Sequence, residues 1–362
     1  MKIFLLLLFV PFSIQGELLL NQIQIIGTHN SYHVAPTSAQ MNFLGMFSKE
    51  AVTAWDYTRK SLDKQLDNGL RHFELDVYAD PEGSLFSSSS DPIDSPLRKP
   101  GMKVLHVPKL DAKSIHLTFT SALDSVKKWS DENANHLPVM ILVELKDRAE
   151  NPLGPKPLKF DRGQMEALEK EILSVLDLER IITPDFVRGN KGNLRDVIIQ
   201  KGWPKLGECR GKIMFCLDNE GSHRDEYLKN NPSLEERLLF VSVGPDHPAA
   251  AWMKRNDPIA GFREIQQLVK AGFMVRTRAD TNTVEARAND KNRANEALAS
   301  GAQFVSTDFP DKVPRISEYE VRLPGRVVAR ANPVSAPEVF FKNFCGTRFL
   351  TFICGCFSEY LE

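Results

Sequence analysis

Residues 137–147 read Leu-Pro-Val-Met-Ile-Leu-Val-Glu-Leu-Lys-Asp. This stretch holds a short apolar run that ends at the carboxylate of Glu144. A run of this length and composition is typical of a buried strand in a parallel sheet. A carboxylate that follows it is costly unless it is paired or bound to a metal. The stretch therefore predicts a buried strand with a functional group at its carboxyl end.

Seven further apolar segments with β-branched residues recur along the chain, with helical patterns between many of them. The eight predicted strands are residues 23–26, 73–77, 104–107, 139–145, 212–217, 239–243, 273–276 and 304–306. The predicted helices include residues 58–68, 118–133, 163–176, 258–270 and 283–300. Strands that alternate with helices indicate parallel βα units. Eight units predict an α/β fold, a single-domain (β/α)8 TIM-like barrel with room for distortion, whose functional groups gather at the carboxyl ends of the strands.

Polar side chains stand at the ends of the first four predicted strands. They are His29 and Asn30, then Glu74 and Asp76, then His106, and finally Glu144. Glu74 and Asp76 alternate onto one face of their strand. Amide and carboxylate oxygens are ligands that Ca²⁺ prefers, and histidine exchanges protons near neutral pH. The set therefore predicts a site that promotes attack at phosphorus with a bound cation and two imidazoles.

Six motifs carry a resemblance to a known family. They are IIGTHNSYH (25–33), HFELDVYAD (72–80), VLHVPKLD (104–111), LPVMILVELKD (137–147), GFMVRTRAD (272–280) and ASGAQFVSTDFP (299–310). Together they resemble the phosphatidylinositol-specific phospholipase C family, and within it the secreted, calcium-dependent branch. The specific part of the resemblance is the pair His29-Asn30 together with the pattern Glu74-x-Asp76.

The resemblance implies a role for each polar residue at the strand ends. The implied ligands of Ca²⁺ are Asn30, Glu74, Asp76 and Glu144. His29 would stabilise the charge on the pentacoordinate phosphorus, and His106 would act as general acid toward the diacylglycerol oxygen. Either Glu74 or Glu144 would take the proton of the inositol 2-hydroxyl. Attack by that hydroxyl would release diacylglycerol and a cyclic inositol phosphate that water can open.

The resemblance also bears on substrate binding. Arg278, or in second place Arg276, would contact a phosphate or an inositol hydroxyl; the alternative pairs both arginines with Asp280 and Glu285. Intracellular eukaryotic members carry lysines on the fifth strand that recognise ring phosphates, whereas this chain has Asp218 after that strand. We therefore expect the substrate to be unphosphorylated phosphatidylinositol, or a related glycolipid or soluble phosphodiester.

Two other functions compete with this one. A glycerophosphodiester phosphodiesterase or a sphingomyelinase D-like barrel hydrolase also uses two histidines, a metal and carboxylates. Such enzymes typically have His-Arg-Gly where this chain has His29-Asn30-Ser31. The second alternative is a catalytically dead barrel that binds lipid head groups. Loss of a histidine or carboxylate of the set would favour it, and none is lost.

The termini and the composition concern location and partners. Residues 1–16 contain one lysine, an apolar run and a small residue at the end, which predicts a signal peptide and secretion. Residues 17–338 would form the barrel, and the Phe- and Cys-rich tail at 339–362 has no assigned role. No later segment reaches transmembrane length, so we expect only transient contact with a membrane surface. With 46 Lys and Arg against 47 Asp and Glu, no strong field favours a nucleic-acid partner.

Overall fold

A computed structural model describes residues 17–149, 151, 154–189 and 192–338. The predicted signal peptide and the tail at 339–362 lie outside the described residues. The strands are β1 (Ile23–Thr28), β2 (His72–Tyr78), β3 (Lys103–Val104), β4 (Val139–Leu145), β5 (Ile181–Ile182), β6 (Ile213–Leu217), β7 (Leu239–Val241), β8 (Trp252–Lys254), β9 (Met274–Arg278), β10 (Phe304–Thr307) and β11 (Ala329–Ala331). The helices are α1 (Ser38–Gly45), α2 (Lys49–Ala54), α3 (Leu62–Asp67), α4 (Phe119–Glu132), α5 (Arg162–Val175), α6 (Pro184–Arg188), α7 (Leu194–Lys201), α8 (Leu206–Cys209), α9 (Ser222–Leu228), α10 (Phe262–Lys270), α11 (Val284–Ala288) and α12 (Asn292–Ala299).

Eight parallel strands form the barrel in the order β1, β2, β4, β6, β7, β8, β9 and β10, and β10 pairs with β1. The link from β7 to β8 is a single parallel bridge between Ser242 and Trp252. Strands β3 and β11 add antiparallel partners to β2 and β1, and β5 pairs with β6. The predicted (β/α)8 TIM-like fold is confirmed.

One predicted barrel strand is wrong, and another was missed. Residues 104–107 do not cross the barrel, because β3 runs antiparallel to β2 and the chain then turns back on itself between Val107 and Asp111. The missing barrel strand is β8, whose three residues follow three alanines. Its third residue, Lys254, is half-buried.

The predicted helices overlap α3, α4, α5 and α10, but the predicted helix at 283–300 is divided into α11 and α12. The break follows from Asn289, which adopts the left-handed conformation with φ 52° and ends α11. Side-chain caps begin the two long helices, since Thr118 accepts from the Ser121 N–H and Asp161 from the Gln164 N–H. Among the described residues, no helix is both long enough and apolar enough to span a membrane.

The register of the sheet brings polar residues together at one end of the barrel. Strand β2 pairs with β4 from His72 opposite Met140 to Val77 opposite Leu145, so Asp76 lies directly opposite Glu144. Both strands are almost entirely buried. Because side chains alternate along a strand, Glu74 and Asp76 share the face that Glu144 occupies on the next strand. The fold thus concentrates carboxylates at the carboxyl ends of β2 and β4.

We predict that Gly27→Ala destabilises the protein strongly. A methyl group at Gly27 would lie 2.3 Å from both the Cβ and the carbonyl oxygen of His72, on the neighbouring barrel strand. The free energy of unfolding, measured by urea denaturation, should fall by about 3 kcal/mol, as for an overpacked core. Gly244→Ala is the matched control, because no atom lies within 4 Å of its added methyl group. Equal stability of the two variants would contradict the close approach of β1 and β2.

Candidate active site

The segment after β1 folds back onto β2 and brings His29 and Asn30 to the mouth of the barrel. The Ser31 N–H donates to the Glu74 carbonyl at 2.9 Å, and the Ser31 hydroxyl accepts from the Glu74 N–H at 2.8 Å. Asn30 has a φ of 43°, in the left-handed region that asparagine adopts more readily than most residues. It is buried. Asn30 therefore immediately precedes Ser31, the residue that is hydrogen-bonded to the backbone of Glu74.

Three of the four predicted calcium ligands form one carboxylate cluster. Oxygens of Glu74, Asp76 and Glu144 all lie within 4.8 Å of one another. Asp76 is buried, and neither of its carboxylate oxygens has a hydrogen-bond donor in the described part of the chain. Burial, together with the neighbouring carboxylates, raises the pKa of Glu74 to about 7 and that of Asp76 to about 8. Clustered carboxylate oxygens that repel one another are the ligand type that fits a hard divalent cation.

Two basic side chains at the cluster already lie against its carboxylates. The Lys146 ammonium lies 3.4 Å from an oxygen of Asp76 and 3.3 Å from an oxygen of Glu144. The Arg276 guanidinium, which is buried, forms an ion pair with Glu74. These contacts offset part of the charge that the cluster would otherwise carry. Lys146 was absent from the predicted site, although it lies in the same motif as Glu144.

His29 is held by a carboxylate on one side and faces the cluster on the other. Its Nδ1 lies 2.9 Å from the Asp308 carboxylate, and its Nε2 lies 3.6 Å from an oxygen of Glu74. Burial and the charge of Arg278 lower the pKa of His29 to about 3, and the opposing effect of Asp308 is too small to prevent this. In the neutral ring, the proton on Nδ1 is donated to Asp308, which leaves the lone pair of Nε2 toward Glu74.

Asp308 fixes three basic groups in the mouth of the barrel. Its carboxylate lies 3.0 Å from Arg59 and 3.2 Å from Arg278, in addition to the bond with His29. Burial would raise the pKa of Asp308, but His29, Arg278 and Arg59 outweigh it and hold that pKa well below its usual range. The sequence located Asp308 at a strand end without revealing that it binds His29.

His106 has the opposite electrostatic environment from His29. Its Nδ1 lies 2.7 Å from the Asp111 carboxylate, and the ring of Trp55 meets its edge at a centroid distance of 5.3 Å. Burial would lower its pKa, but the bond to Asp111 and the charges of Asp76 and Asp111 raise the pKa above its usual value. Sequence reasoning missed Asp111, although it ends the motif VLHVPKLD that contains His106.

The two predicted substrate-binding arginines lie at the mouth but are paired with carboxylates there. Arg276 binds Glu74 and donates to the Asn256 side chain at 2.5 Å, whereas Arg278 binds Asp308. Their ion pairs are therefore not the ones with Asp280 and Glu285 that formed the alternative. The guanidinium of Arg278 approaches His29 to 3.3 Å.

Asp218 also has a basic partner in the mouth. The Lys254 ammonium donates to the Asp218 carboxylate at 2.8 Å and to its backbone carbonyl at 2.6 Å. Lys254 belongs to β8, the barrel strand that was missed, so this pair could not be read from the sequence. The predicted site residues thus lie on barrel strands or directly after them, except His106, which follows the antiparallel strand β3.

Two solved structures share this fold. A calcium-dependent phosphoinositol-specific phospholipase C from the Gram-negative bacterium Pseudomonas sp. matches with a TM-score of 0.51 and 15% identity, over 86% of this chain and 95% of that chain. A Ca²⁺-dependent phosphatidylinositol-specific phospholipase C from Streptomyces antibioticus matches with a TM-score of 0.53 and 14% identity, over 80% of this chain and 94% of that chain. A comparison with curated proteins finds no match. At such identities, the likeness concerns the fold.

A family model assigns this chain to the phosphodiesterase class of enzymes. The family model described as "Phosphoinositide phospholipase C, Ca²⁺-dependent" matches residues 18–333. The chain therefore belongs to the Ca²⁺-dependent phosphoinositide phospholipase C family, and a phosphoinositide-type substrate follows from that membership. The carboxylate cluster supplies acidic groups that could bind the cation on which the family depends.

We predict that Asp111→Asn lowers the pKa of His106. The wild-type pKa is raised by the bond to Asp111 and by the charges of Asp111 and Asp76, against burial and Lys146. Without the Asp111 charge, burial and Lys146 lower the pKa of His106 further, so the ring loses its proton at a lower pH than in the wild type. The measurement is an NMR titration of the His106 ring protons.

Asp308→Asn is the control for this titration, because it removes the partner of His29 and leaves the Asp111–His106 contact in place. If the pKa of His106 is unchanged in Asp111→Asn, or shifts equally in both variants, Asp111 is not the group that raises the pKa of His106.

Proposed function

We propose that this enzyme is a secreted, Ca²⁺-dependent phosphoric diester hydrolase that cleaves phosphatidylinositol-type lipids to diacylglycerol and a cyclic inositol phosphate. The attacking group is the inositol 2-hydroxyl, and water can open the cyclic product. The observation that carries the proposal is the carboxylate cluster: the buried Asp76 lies beside Glu74 and Glu144, is ion-paired with Lys146 at 3.4 Å and is within electrostatic range of His106. The proposal of secretion rests on the predicted signal peptide alone.

The carboxylate cluster is the proposed calcium site. Asn30, Glu74, Asp76 and Glu144 would hold the ion, because their oxygens are the ligand type that Ca²⁺ takes. A bound divalent cation would supply positive charge to the attacking hydroxyl and to the non-bridging oxygens of the phosphodiester. Glu74 or Glu144 accepts the hydroxyl proton. Of the two, Glu74 is held by Arg276, whereas the side chain of Glu144 is 30% exposed toward the mouth.

His29 and Arg278 are proposed to stabilise charge at phosphorus. They lie side by side and share the carboxylate of Asp308. In the free enzyme, the low pKa of His29 keeps the ring neutral. A bound phosphodiester brings negative charge next to the ring, which favours its protonated form and makes Nε2 a donor. Asp308 holds the ring through Nδ1 throughout, so only Nε2 faces the reacting group.

His106 is proposed to protonate the departing diacylglycerol oxygen. Its raised pKa keeps the ring protonated at a pH where an ordinary histidine begins to lose its proton. The bond to Asp111 uses Nδ1 and leaves Nε2 as the atom that gives up the proton. A positioned general acid of this kind contributes roughly 10²- to 10⁴-fold to a rate.

The pairing of charges at the mouth supports an unphosphorylated inositol ring as the substrate. Arg276, Arg278 and Lys254 face Glu74, Asp308 and Asp218, respectively. A ring phosphate would have to displace one of these carboxylates from its partner. Ring hydroxyls, in contrast, can bond to both members of the Asp218–Lys254 pair, since one accepts and the other donates.

An exposed apolar patch on α1 and the turn after it supports transient contact with the lipid surface. The patch consists of Phe43, Met46 and Phe47, of which Met46 is 69% and Phe47 75% exposed. It lies on α1 and the turn after it, which continue through α2 to Trp55 against His106. Apolar side chains at this place can enter a bilayer that holds the substrate.

We predict that phosphorus NMR of the enzyme with phosphatidylinositol vesicles shows a cyclic inositol phosphate signal in Ca²⁺ and none in excess chelator. His106→Ala should fold and turn over at least about 100-fold more slowly. Asp76→Asn should raise the Ca²⁺ concentration for half-maximal rate by about tenfold or more, since a ligand loses its charge.

Leu158→Ala, a change at an exposed residue outside the site, is the control for these rates. Turnover that persists in chelator would overturn the calcium role, and no turnover of this lipid under either condition would overturn the proposed substrate. A fully active His106→Ala enzyme would overturn the acid assignment.

We further predict that Phe47→Ser weakens binding to phosphatidylinositol vesicles by about three- to tenfold. The variant lacks the aromatic side chain that the wild-type protein would bury in the bilayer on binding. The rate on a water-soluble inositol phosphodiester should stay unchanged, since Phe47 is outside the mouth. Vesicle sedimentation and both rates test this prediction. Ile199→Ser is the control, since it removes an exposed apolar side chain on α7 that is 47% exposed. An equal loss of vesicle binding in this control would contradict the assignment of the patch.

A further inference from the structure

His33 is a fully buried histidine with partners on both ring nitrogens. Its Nδ1 lies 3.0 Å from the Tyr57 backbone carbonyl, and its Nε2 lies 2.9 Å and 2.8 Å from the two oxygens of the Asp111 carboxylate. The second of these oxygens also receives His106 at 2.7 Å. Asp111 therefore stands between two imidazoles, of which only that of His106 reaches the mouth.

The hydrogen-bond partners determine which atoms of His33 donate. A backbone carbonyl and an ionised carboxylate only accept hydrogen bonds, so both nitrogens of the His33 ring are donors in this arrangement. A donor shared between both oxygens of Asp111 fixes the plane of that carboxylate. The carboxylate plane in turn fixes the direction from which His106 can approach, because hydrogen bonds to carboxylates weaken steeply out of line.

The backbone around His33 ties together the three segments that form this contact. Its N–H donates to the Asn30 carbonyl at 3.1 Å, its carbonyl accepts from the Arg59 N–H at 2.9 Å, and it forms a bridge with Ser114. On the other side, a tight turn in which Lys109 has φ 67° returns Asp111 to Val107, next to His106. His33 is thus rigidly placed on the β1 side, whereas Asp111 is carried by a separate loop.

We infer that His33 is a positioning residue for the general acid: it clamps Asp111 so that the carboxylate holds His106 through Nδ1 and directs Nε2 at the leaving oxygen. The inference rests on the proposed function, in which His106 protonates that oxygen. His33 itself does not contact the substrate. The clamp gives a role to the second histidine of GTHNSYH, four residues after His29.

A matched pair of variants tests the clamp. Glutamine can place its amide nitrogen where Nε2 lies and keep the bond to Asp111, whereas asparagine can place its nitrogen where Nδ1 lies and keep only the bond to Tyr57. The substrates are two water-soluble inositol phosphodiesters, one with an alkyl and one with a nitrophenyl leaving group. The nitrophenyl ester leaves as a stable anion, so it needs no general acid.

We predict that His33→Asn lowers kcat on the alkyl ester by about 10- to 100-fold with KM nearly unchanged, and lowers kcat on the nitrophenyl ester by less than about threefold. His33→Gln should stay within about threefold of wild type on both esters. The ratio of the two rates in one sample does not depend on how much of the variant is folded. In NMR, the deshielded proton on the His106 Nδ1 should persist in His33→Gln and be lost or shifted in His33→Asn.

Equal losses on both esters in His33→Asn, or a wild-type rate on the alkyl ester, would overturn the clamp. His106→Ala separates this failure from failure of the proposed function. It should lose far more rate on the alkyl ester than on the nitrophenyl ester. If it loses equally on both, the acid role of His106 is wrong, and the role of His33 is overturned with it.

Discussion

The sheet register forces several carboxylates together, and the placement of the basic side chains around them follows from the repulsion among these carboxylates. Strands β2 and β4 place Asp76 opposite Glu144, with Glu74 on the same face one pleat below. Glu74 and Asp76 are buried and Glu144 is 30% exposed, so solvent screens these charges only in part. The cations around them follow from this constraint: Lys146 lies against Asp76 and Glu144, and Arg276 against Glu74. A fold that creates this concentration of negative charge has to provide positive charge at the same place, from side chains or from a bound ion.

Within this mouth, different neighbouring charges shift the pKa values of two histidine rings in opposite directions. His29 lies beside Arg278, which disfavours its protonation, and the pKa of its ring is low. His106 lies beside Asp111 and within reach of the charge on Asp76, and the pKa of its ring is raised. In both rings a carboxylate binds Nδ1, so the orientation is alike and only the balance of neighbouring charges differs. Environments that push the pKa values of a pair apart are how one site can hold a protonated and a neutral group at the same pH.

Sequence patterns predicted the parts of the fold that depend on long apolar runs, and failed where strands are short. The strand around Val139–Leu145 was evident, whereas β8 has three residues, one of them charged, and carries no periodicity. The site residues at strand ends could be predicted, because barrel topology gathers them. Their partners could not. Asp308 meets His29 across 279 positions, and Lys254 meets Asp218 from a strand that was not recognised. Such contacts join residues far apart in the sequence and arise only when the strands close into a barrel.

The bridge between Ser242 and Trp252 gives the barrel a seam. Apart from β1 and β2, which pair at Gly27 and His72, the other barrel strands are joined by backbone ladders of three or more paired residues, which form with almost any side chain. At the seam, side chains take over: the Ser242 hydroxyl accepts from the Lys254 N–H at 3.1 Å, and the Lys254 ammonium reaches Asp218 at 2.8 Å. The width of the mouth at this point therefore depends on which side chains are present. A lineage could widen or narrow the opening by point substitution here, and so admit a different sugar, while the rest of the ring stayed intact.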